Sequence, residues 1–322
     1  MSRDRPNPAR ERSLQWGAQA LWQQLEPLLP GLSVEVLARC VSTNSELLER
    51  ARIVPRDGAG QAGSAAALAQ RVGRRQADTQ PCLLVAEEQV AGRGRLGRSW
   101  RSAPGASLTF SLALPLAPRD WSGLSLAVGV AIAQALQPRA GATPLRLGLK
   151  WPNDLWLVGD ATADAAQGGG IASGRKLGGV LIETLAAGDR RLAVVGIGLN
   201  IAALPGPLPP DLHDRIGCLH ELDPHASAAS TLARVALPLV QALKTFESEG
   251  FAAFAERYAA LDLLQGETVT TTDPRTPLGI VRGVDGQGGL RLATAAGVQV
   301  ISSGEVSVRP AAASLPALAE VR

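Results

Sequence analysis

The ten residues Ala91-Gly92-Arg93-Gly94-Arg95-Leu96-Gly97-Arg98-Ser99-Trp100 put three glycines, three arginines and a tryptophan into one short stretch. Glycine bends a backbone through positive φ and brings it close to a ligand. Arginine presents a planar fork of donors that matches phosphate or carboxylate, and tryptophan stacks on a flat ring. Together they suit a loop that closes over a nucleotide carrying more than one negative charge. The same run spells G-x-G-x-x-G, but a dinucleotide fingerprint needs a preceding strand, a helix opening inside it and an acid about 20 residues on. Cys82–Ala86 supplies the strand. Arg101-Ser102-Ala103-Pro104-Gly105 then breaks any helix, Ser107–Leu114 alternates like a strand, and Asp120 falls in a Pro-Arg-Asp-Trp turn. Strand, arginine loop, strand is the better reading. A solvated Gly/Arg surface loop or a basic nucleic-acid contact stays open as the alternative.

Three further segments carry groups that could serve the same chemistry. Ser42-Thr43-Asn44 stands at a helix start, where hydroxyl and amide groups can reach a polar ligand; a plain N-cap explains them equally. Lys150-Trp151-Pro152-Asn153-Asp154, followed by Lys176-Leu177-Gly178-Gly179, sets lysine and aspartate at strand ends, where they serve a ligand or pair with each other. Gly196-Ile197-Gly198-Leu199-Asn200 is a strand with two glycines and a terminal amide, and its glycines mark either close ligand approach or a sheet bend. His213, His220 and His225 fall near Asp211 and Asp214, but the spacing matches no zinc pattern. A solvated acidic loop is expected there, and no metal ligand is assigned.

The elements that must position these groups follow from periodicity and breakers. Residues 1–12 read as an arm and 14–29 as an amphipathic helix stopped by Pro30-Gly31. A strand is expected over 32–40, then a helix from about Asn44 to Arg52 opened by a capping box, a Ser or Thr followed three residues later by Glu46. Residues 55–80 read as a loop insertion with a short helix at 65–72. Helix 122–137 leads to strand 145–150, and strands 155–158 and 176–183 flank a Gly-rich hairpin extension at 159–174. A buried strand covers 191–201, and 226–264 is helical with breaks at Pro238 and Gly250. Beyond Gln265-Gly266, short alternating runs at 267–272, 279–284, 290–293, 298–302 and 306–309 predict a small β-barrel.

The chain of 322 residues is long enough to bury a sizeable core, and 46% hydrophobic residues make it globular rather than disordered. A net charge of +3 is mildly basic, and binding of a polyanion over the whole surface does not follow from it. Cys40, Cys82 and Cys218 form no C-x-x-C pair, so neither a disulfide framework nor a zinc site is indicated. Reduced thiols, and an N-terminus without an apolar signal core, point to the cytoplasm.

Taken together and in this order, Ser42-Thr43-Asn44, Gly92–Trp100, Lys150–Asp154, Lys176–Glu183 and Gly196–Asn200 resemble the biotin protein ligases, over about residues 32–310. The resemblance implies an α+β fold: a mixed β-sheet with helices on one face, like the catalytic domain of class II aminoacyl-tRNA synthetases, plus a small C-terminal SH3-like β-barrel. The implied division is 1–31 arm and short helix, 32–264 catalytic biotin- and ATP-binding domain, 265–310 barrel and 311–322 tail. It implies that biotin attacks the α-phosphate of MgATP to give biotinyl-5′-AMP, which a lysine of the biotin carboxyl carrier protein of acetyl-CoA carboxylase then attacks. Ser42, Thr43, Asn44 and Gln89 would hold biotin with Gly92, Gly94 and Gly179. The Arg93 amide and Lys176 would hold its carboxylate. Arg95, Arg98 and Lys176 would be catalytic, with Arg95 and Arg98 on phosphates. Trp100 and Asn200 would contact adenine, and Asn153 and Asp154 would support the nucleotide end; Lys150 binds phosphate or only pairs with Asp154.

Only about 31 residues precede the first strand, short of the roughly sixty-residue winged helix of family members that repress transcription, so a monofunctional ligase without operator binding is expected. No DNA and no membrane partner is implied, and a monomer and a weak homodimer are both open. Lipoate–protein ligase, which shares the adenylation step, is the nearest alternative, though the arginine loop and Gln89 favour biotin. A nucleic-acid-binding protein using the arginine loop is the alternative of a different class.

Overall fold

Strand β5 (Ser107–Leu116) is buried at all but one of its ten positions. Its odd positions Ser107, Thr109 and Ser111 are small and polar, while Leu108, Phe110, Leu112 and Leu114 are large and apolar. Because strand side chains alternate between faces, such a strand is covered by a core on one side and by something polar on the other. The computed structural model describes residues 12, 15–52, 79–138, 143–159, 171–187, 190–206, 215–302 and 308–310. The expected helix at 65–72, most of the two long insertions, His213 with Asp211 and Asp214, the N-terminal arm up to Glu11 and the tail lie outside these residues.

Strand β5 is the third of a seven-stranded mixed sheet. Its partners are β1 (Ser33–Cys40), β2 (Cys82–Gln89), β6 (Leu145–Lys150), β7 (Asp154–Gly159), β8 (Arg175–Ala187) and β9 (Arg190–Asn200), in the order β1-β2-β5-β9-β8-β7-β6. Strands β1 and β2 are parallel, and every other neighbour is antiparallel. The apolar face of β5 packs with Leu83, Val85 and Ile197 under α1 (Ala18–Leu25), α3 (Leu124–Leu136) and α4 (Ala228–Glu249). Helix α3 is buried almost all round, at ten of its thirteen positions, because it lies between the sheet and α4.

Contrary to the expectation of helices on one face, the helices cover both faces of the sheet. Helix α2 (Thr43–Arg52) covers the opposite face, where Leu47, Leu48 and Ala51 pack on Cys82, Leu84, Ala113, Leu192 and Val194. Cys82 and Leu84 alternate with Leu83 and Val85, so β2 is apolar on both faces and needs two covers. Helix α2 is short and leaves the far part of this face, along β8 and β9, open. Helix α4 also departs from expectation. It runs unbroken through Pro238, since the buried stripe Leu232, Val235, Leu239, Leu243 and Phe246 continues on either side and packing outweighs one lost hydrogen bond. Gly250, at φ 67°, does end it, and α5 (Ala255–Ala259) follows.

The last five strands, β10 (Thr268–Thr271), β11 (Leu278–Val284), β12 (Leu290–Thr294), β13 (Gly297–Ile301) and β14 (Val308–Pro310), form an antiparallel sheet ordered β13-β12-β11-β10-β14. Among the described residues it is not closed into the expected barrel. Strand β13 pairs with β12 alone and is an edge, and its Val298 and Val300 stand in solvent. Two bonds fasten this sheet to the larger one: the fully buried Trp151 donates its indole N–H to Gly288 O at 3.0 Å, and Lys150 Nζ donates to Val308 O at 2.7 Å. No helix among the described residues is long and apolar enough to cross a membrane.

Candidate active site

The open part of the sheet face is floored by the even positions of β9. Ser111 on β5 faces Gly196, Thr109 faces Gly198, and Ser107 faces Asn200. A Cβ at Gly196 would fall 2.2 Å from Asn44 Oδ1, and one at Gly198 would fall 2.6 Å from Trp100 Cε2. The two glycines are therefore seats for two side chains, neither a sheet bend nor a bare ligand platform.

Helix α2 brings the first wall. Ser42 caps the helix, taking the Ser45 amide at 3.5 Å. Glu46 does not close the expected capping box; it pairs with Arg50 at 2.9 Å, one turn on. The Thr43 amide and hydroxyl both donate to Gln89 Oε1, at 2.7 and 3.2 Å. Ser111 Oγ lies 2.6 Å from both Thr43 Oγ1 and Asn44 Oδ1, and Asn44 Nδ2 donates to Glu183 Oε2 at 2.9 Å and to Leu181 O at 3.3 Å. Ser42, Thr43 and Asn44 are each 3% exposed. This is a pre-formed, fully hydrogen-bonded wall of small polar groups, suited to a compact polar ring.

The arginine segment lies between β2 and β5, as expected, but is itself a short hairpin rather than a plain loop. Strands β3 (Gly92–Arg93) and β4 (Ser99–Trp100) pair Gly92 with Trp100 and Arg93 with Ser99. Gly92 is not on the cleft lining; a Cβ there would meet Trp100 O at 2.6 Å, so the glycine lets the strands close. At the tip, Leu96 and Gly97 are both left-handed, with φ of 57° and 70°. That conformation costs a non-glycine residue about 1 kcal/mol or more, and the side chain that bears it, Leu96, is half exposed. Arg95 reaches back to Asn153 Oδ1 at 3.4 Å, and burial lowers its pKa from the usual arginine value.

The third wall turns on a β-bulge. Asp154 pairs with Gly179 and Leu155 with Gly178, but Trp156 pairs with Lys176, leaving Leu177 as the extra residue. The bulge sends Leu177 into the core and sets Lys176 and Gly179 on the same face. Lys176 Nζ then meets Asp154 Oδ1 at 2.6 Å, beside the missing Cβ of Gly179. Asn153 fixes this turn by donating to Val180 O at 2.7 Å, and Asn200 donates to Lys176 O and Gly217 O at 3.3 and 3.1 Å. Lys150 pairs across the turn with Asp154 in register, yet its amine binds Val308 O and lies 5.5 Å from the Trp156 ring centre. Burial pushes its pKa down to about 8 against the pull of Asp154.

These walls enclose a cleft of about 700 Å3. It brings together every residue expected of the site except Gly92, and adds Trp156, Ile171, Leu204, Arg215, Ile216 and Arg309, which no motif had indicated. Ser111 and Glu183 stand behind the lining and bind its members; Ser111 was legible in the alternation of β5, and Glu183 closed a motif without a role. Among the described residues, Arg93, Arg95, Arg98, Arg101, Lys150, Lys176, Arg215 and Arg309 line the cleft with one carboxylate, Asp154, and Glu183 pairs with Arg93 from behind the lining. Among the described residues no group of three His, Cys, Asp or Glu converges to hold a metal. An excess of cations beside an uncharged polar pocket matches a polyanion bound next to a compact polar group.

Comparison with known proteins decides what that pair is. Residues 71–200 match the Biotin/lipoate A/B protein ligase family, and residues 266–309 match the Biotin protein ligase C terminal domain. The biotin–[acetyl-CoA-carboxylase] ligase of Mycobacterium tuberculosis is 30% identical over 310 residues, covering 93% of this chain and 95% of the relative. The chain belongs to the biotin protein ligase family. The bifunctional ligase/repressor BirA of Escherichia coli is 32% identical over 293 residues, 90% of this ligase and 78% of BirA. Among solved structures, the Aquifex aeolicus biotin protein ligase in complex with biotin and ATP superposes with a TM-score of 0.61 at 27% identity, covering 86% of this chain and 99% of the other. The ligase thus contains, in one cleft, the motifs from which its family resemblance was drawn.

Proposed function

We propose that this enzyme activates biotin with ATP and transfers it to a lysine of a biotin carboxyl carrier protein, and we assign the residues of the cleft as follows. The observation that carries the assignment is the excess of cations over acids among the described lining residues, Arg95, Arg98, Lys150 and Lys176 foremost, beside the polar wall of Ser42, Thr43 and Gln89. Gly179 gives that wall depth for the ureido ring, and Asn44 holds it from behind. The Arg93 amide, Gly94 and Lys176 take the carboxylate. Its oxygen attacks the α-phosphorus of MgATP, the bond to the β-phosphate breaks, and pyrophosphate leaves. Biotinyl-5′-AMP remains until the carrier lysine attacks the acyl carbon and AMP departs.

No protein nucleophile is required; the task is to hold two anions together and to neutralise the charge that develops between them. Arg95, Arg98 and Lys176 serve that purpose. Each charge-assisted hydrogen bond contributes about 1.5–3 kcal/mol. Lys176, released from Asp154 by the incoming anion, changes one charged partner for another at little cost. The Trp100 ring packs against Gly198 and lines the cleft, so that Trp100, by stacking, and Asn200 bound the adenine. Mg2+ would enter with ATP, and Asp154 and Asn153, at the cationic end of the cleft, would meet the metal–phosphate complex. A closed arginine loop would protect the adenylate from water.

Residues 32–264 form the catalytic unit in this reading, and 265–310 an SH3-like module whose β14 contributes Arg309 to the nucleotide end. The three cysteines, free in the structure, suit a cytoplasmic setting, and the chain works as a monomer or a weak homodimer without DNA. Pyrophosphate–ATP exchange on the purified protein, with biotin or lipoate added separately, tests the reading. Exchange with biotin alone is the expected result. Exchange with lipoate alone would change the substrate, and exchange with neither on folded protein would overturn the ligase assignment in favour of nucleic-acid binding.

A further inference from the structure

Glu183 lies outside the cleft lining, yet its carboxylate joins two of the cleft walls. Gly179, Leu181 and Glu183 alternate along β8, so Glu183 shares the site face with Gly179, four residues nearer the end covered by α2. Its Oε1 and Oε2 both lie 3.0 Å from Arg93 Nη2, on the first strand of the arginine hairpin. Its Oε2 also accepts Asn44 Nδ2 at 2.9 Å, on the first turn of α2. From Asn44 the bonds run on to Ser111, Thr43 and Gln89. Gln89 is held at the base of the hairpin, where its amide donates to Ser102 Oγ at 2.8 Å. The hairpin is therefore tied to the ring-binding wall at two points, its base through Gln89 and its stem through Arg93.

The Arg93–Glu183 pair is a poor device for stability. The two side chains are 46% and 28% exposed, and such pairs contribute little to folding. It has a directional use instead. Arg93 and Ser99 are paired residues of the hairpin, so a fixed Arg93 guanidinium fixes the backbone that carries Gly94 and Arg95 over the cleft. The partner of that guanidinium is oriented by Asn44, whose own position is set by the polar wall and by the space at Gly196.

We propose that Glu183 is a positioning residue that latches the stem of the arginine hairpin to the ring-binding wall, so that the hairpin stays closed over the bound adenylate. This rests on the biotin-adenylation reading of the cleft. Loss of the latch opens the hairpin more often and lets the adenylate escape to water, while the phosphate-binding cations keep their chemistry.

The test uses the full chain and the variants Glu183→Ala, Glu183→Gln, Arg93→Ala, Arg93→Lys and the double alanine variant. Each is assayed for biotin-dependent pyrophosphate exchange and for biotinyl-5′-AMP released into solution, trapped by a free primary amine. E183A and R93A are each expected to raise adenylate release about two- to fivefold, the size of one lost half-exposed ion pair. The exchange kcat of E183A, whose side chain lies outside the cleft lining, stays within about threefold, and R93A is read for adenylate retention alone. The double variant releases no more than either single, as two members of one interaction require, and R93K recovers most of the wild-type retention. E183Q, which keeps an acceptor for Asn44 but loses the charge, falls between. Wild-type retention in both alanine variants, or effects that multiply in the double variant, would refute the latch. Should E183A fail to fold, the half-exposed R93A and its rescue by R93K carry the test. Absence of biotin-dependent exchange in the wild type would instead mark failure of the underlying reading.

Discussion

Gly198→Ala separates the nucleotide from the biotin end of the cleft. A methyl at this position would stand 2.6 Å from Trp100 Cε2, 2.7 Å from Cζ2 and 3.0 Å from Nε1. Ordinary carbon contacts need about 3.5 Å or more, so the indole has to shift by about 1 Å off β9. It has no simple retreat, because Trp100 is paired with Gly92 and the hairpin moves with it. Base–aromatic stacking is worth about 1–3 kcal/mol per base, and 1.4 kcal/mol is tenfold. The KM for MgATP in pyrophosphate exchange should therefore rise by about 5- to 150-fold. The KM for biotin should rise much less, because Gly196, not Gly198, seats the Asn44 wall, and only the carboxylate contact at Arg93 and Gly94 moves with the hairpin. Trp100→Ala should act the same way, and the double variant should be no worse than the more severe single. Equal increases in both KM values, or an unchanged ATP KM with a lowered melting temperature, would show that Gly198 serves packing alone and that Trp100 does not meet the base.

Arg95→Ala and Lys176→Ala should each lower kcat of biotin-dependent exchange by about 100- to 1,000-fold, the usual effect of removing a donor aimed at developing charge; unchanged exchange in both would end the catalytic assignment. The kcat/KM for MgATP should fall as pH rises through about 8, where buried Lys150 loses its proton, and this limb should vanish in Lys150→Met, which starts low and stays flat. Trp151→Phe removes the bond to Gly288 O between the two sheets and strands a buried carbonyl, so calorimetry should show about 1–3 kcal/mol lost.

Much of this site could be read from local chemistry. Three arginines among three glycines require a tight, cationic turn whatever surrounds them, and the hairpin at 92–100 is what forms. The alternation of Ser107, Thr109 and Ser111 with Leu108, Phe110 and Leu112 fixes which side of β5 meets the core, because strand period is two and apolar surface leaves water. Strand β6 and the two ends of helix α2 were likewise legible within a residue or two, from β-rich runs, a cap and a polar stop.

Other features depend on residues distant in the chain and carry no local signal. The capping box failed because Ser42, one residue earlier, took the cap and freed Glu46 for Arg50. The break at Pro238 failed because packing on both sides held the helix together. Gly196 and Gly198 read alike in sequence, and only the approach of Asn44 from α2 and Trp100 from the hairpin gives each its task. The bulge at Leu177 decides that Lys176 and Gly179 share a face; simple alternation would have separated them. Arg309 lines the cleft from the C-terminal sheet, and nothing in its neighbourhood announces that it meets residues of the larger sheet. Residue types along the chain determined the chemistry on offer, since charge, donors and backbone freedom are local properties. Which groups meet, and which merely hold others in place, was decided by the fold, because contact is set by long-range register and packing.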